Sequence, residues 1–154
     1  MIRSLALSIA ILGFAAPVFA QAPAQWVTYP GGDGPGAGKS IVILTGDDEY
    51  RSEESMPQLG KILSVRHGFK VTVLFAINKE TGAIDPATQD NIPGLEALDS
   101  ADLMILFLRF RALPDDQMKH IMDYTNSGKP IVALRTSTHS FAYKDFSGTY
   151  GKWS

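Results

Sequence analysis

The residues with the widest chemical repertoire stand in three short segments, each directly after an apolar run: Gly46-Asp47-Asp48-Glu49-Tyr50-Arg51, Arg109-Phe110-Arg111 and Arg135-Thr136-Ser137-Thr138-His139. Carboxylates such as Asp47 and Glu49 can bind sugar hydroxyls, hold a metal ion or serve as catalytic acid or base, and Asp48 and Glu49 can equally be solvated turn residues. A guanidinium fork matches carboxylate and phosphate oxygens bidentately. Arg109, Arg111 and Arg135 can therefore converge on one anion, or pair with Asp47, Asp48 and Glu49. Arg109 and Arg111 are two apart at a strand end, which points both side chains the same way with the same access. His139 carries an imidazole, a side chain suited to proton transfer or metal ligation; hydrogen bonding at a helix start is its plainer role. Tyr50, Arg51, Thr136 and Ser137 complete the candidate substrate-binding set.

Two mechanisms fall away on residue type. The chain has no cysteine, which removes thiol nucleophiles, thiolate metal sites and disulfides, and suits an oxidising compartment. Gly34-Pro-Gly-Ala-Gly-Lys39-Ser40 resembles a phosphate-binding loop only in part: Asp33 stands where the first glycine belongs, and the glycines precede the first strand rather than joining a strand to a helix. Ser137 sits at a turn where α/β hydrolases place their nucleophile, but Arg135 and His139 replace the glycines that let such a turn bend sharply, so a serine hydrolase is the weakest of the enzymatic options. With 16 acidic against 14 basic residues, nothing marks a nucleic-acid partner.

These segments need a frame to bring them together, and the apolar pattern supplies one. Ser40 to Thr45, Lys70 to Ala76, Asp102 to Leu108 and Ile131 to Leu134 are continuous apolar runs of strand length, the pattern of strands buried on both faces. Between them a helix is expected from Ser52, its cap, to Gly68, with Met56, Leu59, Ile62 and Leu63 on the inner face. A second starts with Pro114 in its first turn and carries Met118, Ile121, Met122 and Thr125 inward, and a short helix is expected over Pro93 to Leu98. Residues 78–91 form an excursion loop, and His67 and His120 fall on helix surfaces. Alternating strands and helices of this kind make a doubly wound, mainly parallel, flavodoxin-like α/β sheet with helices on both faces. Such sheets bind ligands beyond the carboxyl ends of their strands, where all three polar segments lie.

Ahead of this domain, Arg3 precedes an uncharged stretch from Leu5 to Phe19, and Val18-Phe19-Ala20 supplies small residues at the positions a signal peptidase needs. Residues 1–20 are expected to be a cleaved leader, and the mature protein periplasmic or secreted with no membrane span. Residues 21–39, rich in proline and glycine, are expected to be a loose linker. The domain then covers 40–154, and the lack of a closing strand or helix after Leu134 suggests the N-terminal part of a longer protein.

Thr45-Gly-Asp-Asp-Glu-Tyr-Arg-Ser-Glu-Glu-Ser-Met-Pro-Gln-Leu59, the Asp102 to Arg111 strand and Gly128-Lys-Pro-Ile-Val-Ala-Leu-Arg-Thr-Ser-Thr-His-Ser-Phe141 together resemble the ThuA-like, or trehalose-utilisation, family of the class I glutamine amidotransferase-like superfamily. The resemblance covers residues 40 to 150 and implies a flavodoxin-like fold and a role in carbohydrate metabolism. Amidotransferases of this fold place a cysteine where this chain has Arg135, so glutamine hydrolysis by a thiol is excluded. The expected function is proton transfer or hydrolysis on a sugar or sugar derivative: Asp47, Glu49 and His139 catalytic; Tyr50, Arg51, Arg109, Arg111, Arg135, Thr136 and Ser137 holding the substrate; no cofactor implied. A non-catalytic carbohydrate-binding domain is the alternative, and a homo-oligomer stays open.

Overall fold

The computed structural model describes residues 25–144 and 148–153. Its strands are β1 (Trp26–Tyr29), β2 (Ser40–Gly46), β3 (Lys70–Leu74), β4 (Leu103–Leu108) and β5 (Ile131–Ala133), and its helices α1 (Ser52–His67) and α2 (Asp115–Asn126). They form one sheet in the order β1-β3-β2-β4-β5, parallel throughout except that β1 runs antiparallel along β3.

Side-chain alternation along the strands sends successive apolar residues to opposite faces. Ile41 and Ile43 join Val71, Val73 and Met56 under α1. Val42 and Leu44 join Met104, Leu106, Met118 and Ile121 under α2, with Leu95 and Leu98 from the 3-10 helix Leu95–Ser100. One helical layer thus lies on each face, and the expected doubly wound α/β sheet is observed. α1 is broader in exposure than its sequence pattern suggests, since Ile62 is left 43 % accessible.

Four local expectations need correction. Residues 26–29 are not linker: they hydrogen-bond along the free edge of β3, where a strand of β-branched and aromatic residues gains partners that its own sequence does not advertise. The glycines that follow are docked as well. Gly32 and Gly36 donate backbone N–H bonds to the carbonyls of Gly68 and His67, and a Cβ on Gly36 would stand 2.5 Å from the Phe69 ring. This loop therefore satisfies the carboxyl end of α1, the negative end of the helix dipole, which is the wrong pole for a phosphate. Ser52 does not cap α1 either. Arg51 occupies the cap with φ 52°, and Ser52 Oγ turns back to accept the N–H groups of Gly46 and Asp47, each at 2.9 Å. Pro114 precedes α2 in extended conformation instead of opening it. The leader expected over residues 1–20 lies outside the described residues.

His67 is exposed and His120 pairs with Asp99 at 2.9 Å on the surface, both away from the strand ends.

Candidate functional site

β2 and β4 are neighbours, yet the chain leaves β2 toward β3 on one side and β4 toward β5 on the other. At such a switch point the loops part and open a crevice at the carboxyl ends of the strands. The loop after β2 brings Asp47 to Arg51, the turn after β4 brings Arg109 to Arg111, and β5 runs into a 3-10 turn, Arg135–His139. All three loops fall where the sequence places them, directly after a strand.

Asp47 is the buried floor of this crevice, with no accessible surface. Its Oδ1 accepts the N–H groups of Glu49 at 2.8 Å and Tyr50 at 2.7 Å, and its Oδ2 accepts the hydroxyl of Thr136. The Leu108 carbonyl lies 3.2 Å from the same hydroxyl. A carboxylate so engaged shapes its loop and latches it to the β5 turn across the end of β4. Asp47 and Thr136 consequently hold the crevice together, a positioning role in place of the catalytic and substrate-contacting ones expected.

Above this floor the side chains are reachable. Arg109 spans the switch point, with Nη1 3.1 Å from Asp48 and Nη2 3.3 Å from Glu49. Its Nε is buried without a hydrogen-bond partner among the described residues, and its guanidinium lies over the Phe110 ring at 4.5 Å. Phe110 in turn meets the ring of His139, the centroids 5.0 Å apart. Glu49, Arg109, Phe110 and His139 are thus assembled into one surface, with an exposed carboxylate and imidazole and a half-buried cation around an aromatic ring. Phe110 was not among the residues singled out in the sequence; its place between two strand-end arginines is the signal that marks it. Arg51 points elsewhere, pairing with Glu53 at 3.6 Å and Glu54 at 2.6 Å at the start of α1.

Arg111 departs from expectation. It is 1 % accessible, against a half-buried Arg109, and gives its donors to carbonyls: Arg109 at 2.7 Å, Pro86 at 2.9 Å and Thr88 at 2.8 Å. Burial pushes its pKa down from the usual value, opposed by the charges of Asp48, Asp47 and Asp85. The equal-access expectation fails because Phe110 between them adopts φ 53°, which breaks the strand alternation. Arg111 therefore props the loop at Pro86 and Thr88. That loop walls a cleft of about 680 Å³ whose polar lining includes Thr88, Asp90, Asp115, Tyr143 and Lys144. The volume falls in the range of small-molecule sites. Burial, with Asp115 nearby, pushes the Tyr143 phenol up to about 12.

On the β5 side, Arg135 is exposed, lies 4.3 Å over the Tyr50 ring and donates from Nη2 to the Tyr50 hydroxyl. Ser137 is structural: its Oγ donates to the Leu106 carbonyl at 3.0 Å and accepts the Leu108 N–H at 3.2 Å, tying the turn to the end of β4. Its single proton is spent on the strand, so it does not have the geometry of a nucleophile. Among the described residues, no three His, Asp or Glu side chains come together in a way that would hold a metal ion.

Backbone strain marks the same place. Three non-glycine residues adopt the left-handed conformation among those described, Arg51, Phe110 and Arg135, and they fall one in each of the three crevice loops. Each such residue costs on the order of 1 kcal/mol and persists only where its surroundings enforce it, which is why such residues gather at functional sites. No protein-family model, curated protein or solved structure matches the chain.

Proposed function

We propose that this chain is an exported, ThuA-like domain that acts on a sugar or sugar derivative in the crevice at the ends of β2, β4 and β5. The observation that carries the location is the coincidence of the three left-handed residues with the three polar loops: strain is concentrated where Arg109, Phe110, Arg135 and Tyr50 are presented, and nowhere else among the described residues. Carbohydrate chemistry fits what is presented. Tyr50 and Phe110 are exposed aromatic residues, a type that suits the apolar side of a pyranose, and adjoining carboxylate and guanidinium groups suit its hydroxyls. Glu49 and His139 are the exposed groups able to exchange protons, with Arg109 and Arg135 as anchors.

Binding and turnover of neutral and oxidised disaccharides by the whole chain test this reading. Turnover that survives Ser137→Ala but falls at least about tenfold in His139→Ala and Glu49→Gln supports it, as loss of a general acid or base is worth about 10²-fold or more. Binding that is untouched by Arg109→Ala and Arg135→Ala would place the site elsewhere.

The burial of Asp47 favours a second reading, a carbohydrate-binding domain without catalysis, because this carboxylate has no accessible surface and gives three of its about four acceptor sites to its own loop and Thr136. Binding without turnover distinguishes it.

A further inference from the structure

Of the four arginines at the strand ends, three are already engaged. Arg51 is paired with Glu53 and Glu54, Arg109 with Asp48 and Glu49, and Arg111 with carbonyls. Arg135 has no acidic partner among the described residues. It is nonetheless held in place: its backbone is left-handed at φ 44°, its guanidinium rests 4.3 Å over the Tyr50 ring, and the Tyr50 hydroxyl accepts from its Nη2. A surface arginine without a task would spread over its rotamers, since it loses up to about 2 kcal/mol of side-chain entropy when fixed.

The hydroxyl adds a second donor. A phenol that accepts from a guanidinium keeps its own proton free to donate. No acceptor for that proton is found among the described residues. Arg135 and Tyr50 therefore present, side by side, the remaining N–H groups of a fixed guanidinium and one O–H, all of them donors, and no carboxylate among the described residues is paired with either side chain. Donors in that arrangement match the oxygens of an anion much better than the mixed donor and acceptor edge of a neutral sugar.

We propose that the Arg135–Tyr50 pair is an oxyanion receptor, so that the ligand of the crevice is a carbohydrate bearing a carboxylate or a phosphate group. The inference rests on the carbohydrate reading above and names the class of sugar. Phe110 with His139 and Arg109 with Glu49 then face the uncharged part of the ring, and the anion lies on the β5 side.

Calorimetric titration of the whole chain with glucose, glucuronate, glucose 6-phosphate and inorganic phosphate tests it. One of the two charged sugars should bind at least about tenfold tighter than glucose, the factor expected from a hydrogen bond to a charged group; which of the two wins separates carboxylate from phosphate. Arg135→Gln should erase that preference and Tyr50→Phe should reduce it about threefold or more, with unchanged melting temperatures showing that both variants fold. Equal affinity for glucose and the charged sugars, or a preference that survives Arg135→Gln, overturns the receptor and leaves the carbohydrate reading standing. Inorganic phosphate binding as tightly as glucose 6-phosphate, with glucose not bound at all, overturns the carbohydrate reading and leaves the receptor standing. Should Arg135→Gln fail to fold, Tyr50→Phe together with Tyr50→Ala decides, because loss of the preference must follow loss of the hydroxyl.

Discussion

At the scale of single residues, the site separates into groups that are reachable and groups that hold them. Asp47 belongs to the second kind. Asp47→Ala should lose about 2 kcal/mol of stability, since it strands the part-buried N–H groups of Glu49 and Tyr50 while the Thr136 hydroxyl keeps the Leu108 carbonyl, and Asp47→Asn should lose less because Oδ1 survives as an acceptor. Chemical denaturation measures both. A catalytic Asp47 would instead leave stability nearly intact in Asp47→Asn and abolish turnover. Much of the site's membership was legible from position after a strand, whereas the division of labour was not. Arg109 and Arg111 are chemically identical and two residues apart; only the dihedral angle of Phe110 sends one to the surface and the other inside. No propensity rule places a left-handed phenylalanine there, because tertiary packing enforces it.

At the scale of elements, the parallel strands and their two helices were legible because each buries a long apolar face, and burial is the strongest signal a sequence carries. β1 was not, since its four residues sit between prolines and glycines and its hydrogen bonds all go to a strand more than 40 residues away, with Trp26 opposite Leu74. The docking of the glycine loop is hidden in the sequence for a related reason: glycine content looks the same in a flexible tether and in a backbone packed against another backbone. The two cases differ in a measurable way. Gly36→Ala should lose roughly 1–3 kcal/mol in denaturant unfolding, because its methyl group would enter the Phe69 ring, whereas the same change in a loose linker would be neutral. Gly32→Ala, which meets nothing within 4 Å, is the control.

At the scale of the whole molecule, both edges of the sheet carry accessible apolar residues: Trp26 and Val27 on β1 are each 38 % accessible, and β5 leaves Ile131 and Val132 at 38 % and 44 % on opposite faces. Exposed β-branched residues on an edge strand are a template for association. Val132→Lys should therefore lower concentration-dependent light scattering on warming while moving the melting temperature by little, and an unchanged scattering onset would show that the β5 edge does not drive association. The antiparallel course of β1 has another effect. Because Trp26 lies level with Leu74, and Leu74 level with Leu44, the chain enters the domain at the crevice end of the sheet, two strand spacings or about 10 Å from β2. An indole is thereby stationed within energy-transfer range of a chromophore-bearing ligand that settles on the strand ends, so such a ligand would report its own occupancy.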